Sequence, residues 1–251
     1  MIRSAARQSL GDDRRPTRLP ESSLFRRVLL SGLVIDLGFF VIHALSVFAW
    51  ARHWVGADDI QPWLISTDGG WAEWFMYFNW SASIGLLLLV WLRQRRSFEL
   101  GLALIFALVL ADDSIQLHER IGAAFVAALR LQPGIGLRAQ DFGELLTWAV
   151  LGIAIAAAWA LALLATPRQD RPLTSRFISC FLGLLWAGVV MDQLHSVVLQ
   201  PQFLLTWHRW LDLVMTMAED GVEQVVSSFV LAYAVMNWQI SQGPVRARTA
   251  G

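Results

Sequence analysis

The sequence predicts an all-α, polytopic integral membrane protein: a six-helix transmembrane bundle with both termini cytoplasmic. Composition comes first. Of 251 residues, 56% are hydrophobic and 16% charged, and the mean hydropathy is +0.49, outside the usual balance of soluble domains. Second, six apolar stretches have about the 20 residues a helix needs to cross a bilayer core. They run over 28–50, 71–92, 98–120, 142–165, 177–199 and 211–238. Third, the arginines fall mainly on one side of those stretches, which sets an orientation.

Residues 1–27 carry seven arginines together with Pro16 and Pro20. This composition predicts a disordered basic cytoplasmic tail that touches anionic lipid headgroups. Arg26-Arg27 before an apolar run resembles the start of a signal peptide. The run over 28–50 is too long for that, however, and no small-residue cleavage site follows, so an uncleaved first span is expected. Arg93, Arg95 and Arg96 follow the second span; Arg168, Arg171 and Arg176 follow the fourth; Arg246 and Arg248 follow the sixth. With the N-terminal seven, fifteen arginines share one side, against Arg52, Arg120, Arg130, Arg138 and Arg209 on or near the other. The positive-inside rule then makes both termini cytoplasmic, in a bacterial inner membrane. Trp50, Trp54, Trp63, Trp71, Trp74, Trp148, Trp207 and Trp210 mark an aromatic belt at the outer boundary. Between the third and fourth spans, Pro133, Gly134 and Gly136 signal a loop. The stretch 123–131 before it is expected to prolong the third helix beyond the membrane. Residues 241–251 form a second cytoplasmic tail.

Absent residue types exclude several chemistries. All twenty basic residues are arginine, so a lysine Schiff base, a P-loop lysine and a lysine general base are ruled out. Cys180 is the one cysteine, which excludes an internal disulfide, a cysteine zinc site and an iron–sulfur cluster. Twenty acidic residues balance the twenty basic ones, and nothing points to nucleic acid.

The placement of polar residues carries the functional signal, because charge inside a membrane is costly and normally faces a bundle interior or cavity. The third stretch is free of charge over 100–111, then closes with Asp112-Asp113-Ser114-Ile115-Gln116-Leu117-His118-Glu119. The fifth closes with Asp192-Gln193-Leu194-His195, and the sixth carries Glu219-Asp220-Gly221-Val222-Glu223. Each outward-going stretch has a histidine near its outer end (His43, His118, His195), and each returning one a glutamate (Glu73, Glu144, Glu223). The separations are 30, 26 and 28 residues, and Gln-Leu-His recurs at 116–118 and 193–195. This reads as a weak threefold hairpin repeat, which often builds a site at its common interface. At 1.5 Å per residue the polar groups lie roughly 5–15 Å below the outer interface. On straight helices Asp112 aligns with Glu119, and Asp192 with His195, while Asp113, His118 and Asp220 point off those faces.

Imidazole with carboxylate is the ligand set of iron, zinc and manganese. His43, His118, Asp192, His195 and Glu223 are therefore candidate metal ligands, and Asp112 and Glu119 candidate catalytic groups. Asp113, Glu219, Asp220, Glu73 and Glu144 would orient them. Asp192-x-x-His195 resembles one half of the Glu-x-x-His motif of ferritin-like di-iron proteins. Three histidines on three helices also suit a His₃ zinc site, as in alkaline ceramidase-like hydrolases, whose His-x-x-x-His pair is absent here. Glu73, Glu144 and Asp141 also suit helix caps. The expected function is a metal-dependent intramembrane enzyme, hydrolase or oxidoreductase, acting on a lipid or hydrophobic substrate. Two alternatives stand beside it. One is a proton- or cation-coupled transporter, working as a homo-oligomer. The other is a non-catalytic subunit of a respiratory or photosynthetic membrane complex, with partner proteins and with a haem or pigment on a histidine.

Overall fold

The computed structural model describes residues 22–166, 173–198 and 208–242. Most of the basic N-terminal tail, Arg168, Arg171, Trp207, Arg246 and Arg248 lie outside them. Among the described residues the chain is helical and without strands, apart from an isolated bridge between Gly134 and Leu137.

Helix α1 spans Ser23–Ala51. It starts before the expected residue 28 because Ser22 caps it, its hydroxyl accepting from the Phe25 amide at 3.0 Å. Arg26 and Arg27 therefore sit on the helix and not in the tail. A short helix α2, Ala57–Ile60, and a 3₁₀ turn, Gln61–Trp63, lead into α3, Trp71–Gln94. The α1–α3 connection marks one end of the bundle, called distal here. Trp54, Trp63, Trp71 and Trp74 are exposed there, as an aromatic belt requires.

Helix α4, Ser97–Ile115, corrects the sequence reading of one continuous third helix. Gln116 adopts a left-handed conformation (φ 52°), and α5, Leu117–Leu129, leaves at a bend of 73°. No glycine or proline marks this break. Instead of extending outward, α5 folds against α6, Ala139–Ala165. Gly122 and Gly143 meet at the crossing, where a Cβ on Gly122 would sit 2.9 Å from the Glu144 nitrogen. Asp141 caps α6: its carboxylate accepts from the Arg138 amide at 2.7 Å and from the Arg138 guanidinium at 2.6 and 2.9 Å. Helix α7, Thr174–Leu185, continues through a π-helical segment, Trp186–Met191, into α8, Asp192–Val198. The chain closes on α9, His208–Gln242, about 50 Å long.

Four runs are long and apolar enough to cross a membrane: α1, α3, α6 and the α7–α8 run Thr174–His195. The count becomes five if the bent pair α4–α5 is taken as one span. Although long enough, α9 is not among them: Asp212, Glu219, Asp220 and Glu223 crowd its first half, and Gln224, Asn237 and Gln239 make the remainder less apolar. It is nonetheless the hub of the bundle, packing on α3, α1 and α7. The core lies away from the distal end. Trp80 stacks on Phe106 (5.4 Å between centroids), Phe106 meets Phe177, and Phe177 meets Tyr233, with Leu87, Phe98 and Val230 fully buried around them.

Candidate functional site

At the distal end the helices do not close on one another. They surround a cavity of about 310 Å³ whose lining includes nine carboxylates: Asp68, Glu73, Asp112, Asp113, Glu119, Asp192, Glu219, Asp220 and Glu223. His118 is the imidazole in that wall, and among the described residues no arginine lines it. The carboxylates come from the α3 approach, α4, α5, α8 and α9, so five separate segments supply one chamber.

Each group is held by identifiable local chemistry. The α4–α5 bend turns Asp112 back onto the start of α5. One oxygen of Asp112 accepts from the His118 amide at 2.7 Å, and the other contacts His118 Nδ1 at 2.9 Å. With the ring Nδ1–H donating to the carboxylate, Nε2 is the nitrogen that keeps a lone pair. Trp148 lies against the His118 ring at 5.6 Å. The Gln116 amide reaches the Asp68 carboxylate at 2.8 Å, tying the bend to the loop before α3. Glu73 accepts from the Gly69 amide and the Tyr77 hydroxyl, so it caps α3 and lines the cavity as well. Asp113 faces Trp80, at the boundary with the aromatic core.

The π-helical segment has a specific consequence here. Gly188 lies within it, and a Cβ at that position would collide with the Glu223 carboxylate. The extra residue per turn, together with the missing side chain, opens the space Glu223 occupies. Wide turns of this kind recur at functional sites.

Of the twelve candidate residues read from the sequence, nine line the cavity: Asp112, Asp113, His118, Glu119, Glu73, Asp192, Glu219, Asp220 and Glu223. Asp113, His118 and Asp220, assigned off-face positions by straight-helix geometry, lie in the wall with the others. The bend at Gln116 invalidates that geometry for α4 and α5. The remaining three flank the cavity at one hydrogen bond's remove. His195 Nδ1 contacts Glu219 at 2.7 Å while its Nε2 contacts Asp212 at 3.2 Å, so neither ring nitrogen is left over. His43 Nδ1 accepts from the amide of Ile65, a lining residue, at 3.1 Å. Glu144 accepts from Gln140, which also donates to the backbone carbonyl of Glu119. The histidines thus have three different jobs in place of one shared ligand set. Among the described residues no cluster of three or more His, Cys, Asp or Glu side chains is prearranged to grip a metal ion.

Sequence reasoning missed Asp212, the second partner of His195, and Gln224, which lines the deep wall beside Glu223. It also missed the role of Gly188. The spacing of Gln224 from Glu219 and Asp220 on one helix was a usable signal for that residue. The His195–Asp212 contact joins α8 to α9 across residues 199–207, and no local pattern announces it.

Fold and cavity together define a helical protein with several membrane-length apolar helices and a carboxylate-lined chamber at one end of the bundle. The chain belongs to the family described as Domain of unknown function (DUF8692), whose model matches residues 27–236. No curated protein and no solved structure matches it.

Proposed function

We propose that this protein is a metal-dependent membrane enzyme whose distal cavity takes up a divalent cation and acts on a lipid or other hydrophobic substrate. One observation carries the reading: among the described residues, nine carboxylates and one imidazole share a half-buried chamber with no arginine in its wall. Like charges at such density, with low-dielectric helices around them, require a counter-cation or bound protons. The chamber has room for a hydrated ion, which fits the lack of a preformed ligand cage. Oxygen-rich donors with a single imidazole suit manganese or iron better than a His₃ zinc site.

In this reading Asp192, Glu223 and His118 Nε2 hold the ion. Asp112 fixes the His118 ring and its tautomer. Glu119, exposed at the mouth, accepts the proton given up by the substrate or water. His195 steadies Glu219, and His43 steadies the loop at Ile65. The ion would supply Lewis acidity for hydrolysis or, if iron, redox chemistry. Substrate enters sideways between helices, from the leaflet bordering the tryptophan belt.

The topology belongs to the same proposal. Six spans, including α9, cross a bacterial inner membrane with both termini inside, so the cavity opens to the outer side. Carboxylates that face a chamber inside the bundle, and polar side chains such as Gln224, Asn79 and Ser228 that meet between helices, are compatible with a place for α9 in the membrane. The exposed distal tryptophans support a membrane boundary at the cavity's end, and the arginine distribution supports the orientation.

The test is comparative lipid mass spectrometry of cells expressing the wild-type chain or an Asp112→Asn/Glu223→Gln double variant. The expected result is a lipid species that changes with the wild type and not with the variant. Identical lipid profiles, with both proteins present in the membrane, would contradict enzymatic action on lipids.

A second reading, a cation- or proton-coupled carrier, is favoured by one observation. Polar side chains continue beneath the cavity between α1, α3 and α9, where Asn79 donates to Ser227 and Ser228 at 3.0 and 3.3 Å.

A further inference from the structure

Asp36 lies about 20 Å along α1, near its middle, and is 1% exposed. Neither of its carboxyl oxygens is in a formed hydrogen bond. Its neighbours are uncharged, Ser228 and Gln224 of α9. Gly32, one turn earlier, lets α9 come so close that a Cβ there would lie 2.8 Å from the Ser228 hydroxyl oxygen. From α3, Asn79 occupies the same interface, donating to Ser227 and Ser228. The titratable groups of these three helices lie toward the distal end: Glu73 on α3 and Asp220 and Glu223 on α9 line the cavity, while His43 on α1 and Tyr77 on α3 each bond to a lining residue, Ile65 and Glu73.

Two facts link Asp36 to the cavity. Gln224 stands beside Asp36 and also lines the cavity wall. It is 2% exposed, and its amide nitrogen makes no well-formed hydrogen bond to any residue, which leaves it for the Asp36 carboxyl beside it. A carboxylate buried in an apolar bundle with no charged partner beside it is sustained only by an ion or a proton. A sodium ion wants about six oxygens, and the surroundings offer Asp36 only a hydroxyl and an amide. A proton needs nothing more.

We propose that Asp36 is a proton-binding site inside the bundle, loaded from and emptied to the distal cavity across Gln224. On loading, a hydronium ion in the cavity gives up its proton, one Asp36 carboxylate oxygen gains it, and water remains. On emptying, the proton returns to cavity water. Ser228 orients the carboxyl, and Gln224 separates the two compartments. This site stands apart from the metal reading and would operate equally in an enzyme or a carrier.

The test uses the full chain in lipid nanodiscs and dicyclohexylcarbodiimide, an apolar reagent that attacks protonated carboxyls, with the modified residue mapped by peptide mass spectrometry. A groove lined by Ile35, Phe78, Asn79 and Ser228 brings the reagent from the side to Ser228, the neighbour of Asp36. Asp36 is expected to label, and the labelling rate to fall about tenfold per pH unit above its midpoint, with sodium at fixed pH having no effect. In Gln224→Leu the label is still expected on Asp36, but its response to a pH jump lags the wild type. Infrared difference spectra serve as the second readout: Asp36→Asn should remove one protonated-carboxyl band that follows the medium pH. Suppression of labelling by sodium would overturn the proposal in favour of a sodium site. So would pH-independent labelling, or the absence of both the label and the band.

Discussion

Around Phe106 and Phe177 the helices of this protein meet through stacked rings and branched aliphatics, with nothing left open. Around Glu223 the same helices part to leave a chamber walled by nine carboxylates. Helices α3, α4 and α9 each take part in both regions, with core side chains toward one end and cavity carboxylates toward the other, while α7 gives Phe177 to the core and Phe181, Leu184 and Leu185 to the chamber wall. The aromatic half has the ring contacts and burial that stabilise a bundle. The acidic half holds like charges together, which costs stability and, in the proposed function, is relieved by a cation. The contrast separates the part that holds the fold from the part available for chemistry, and substitutions in the two halves should act in opposite directions.

The largest effect is expected in the aromatic half. Phe106→Ala, which removes the ring between Trp80 and Phe177, should cost about 3–5 kcal/mol, read as a lower unfolding midpoint in detergent. A cost under about 1 kcal/mol would mean that the core is centred elsewhere. Gly188→Ala should push the Glu223 carboxylate from its place. Cation affinity is expected to fall about tenfold with little change in the unfolding midpoint, as measured by calorimetric titration. Glu223→Gln should have the reverse signature to the core substitution, raising the stability of the cation-free protein by about 0.5–2 kcal/mol while weakening binding. If instead it destabilises the cation-free protein, the carboxylate is a structural partner. The smallest effect belongs to Asp141, which caps α6 outside the cavity. Asp141→Ala should cost about 1 kcal/mol and leave cation binding alone. The ion-pair part of that cost is discounted because the Arg138 side chain is 70% exposed.

Much of this contrast was legible in the sequence, for physical reasons. Apolar runs of membrane length specify helices whatever their neighbours, and α1, α3 and α6 fall where those runs are. Carboxylates gathered at the ends of such runs, as at Asp112-Asp113 and Glu219-Asp220, have few places to go except a shared interior. What stayed hidden depends on contacts between elements distant in the chain. The bend at Gln116 is fixed by Asp112 reaching forward to His118 and by Gln116 reaching Asp68, not by a helix-breaking residue. The π-helical turn at Gly188 answers to Glu223 on another helix. The three histidines look equivalent by spacing. Asp212, the Ile65 amide and the Asp112 carboxylate, each brought in by tertiary structure, give them separate roles.

The central claim, that the acidic chamber takes up a divalent cation, is tested most directly by calorimetric titration of Mn²⁺ into chelator-stripped full-length protein in nanodiscs. An Asp113→Asn/Glu223→Gln variant is titrated beside it. Saturable binding to the wild type is expected, with a loss of about tenfold or more in the variant. Absence of saturable binding to folded wild-type protein, or equal binding by the variant, would contradict it.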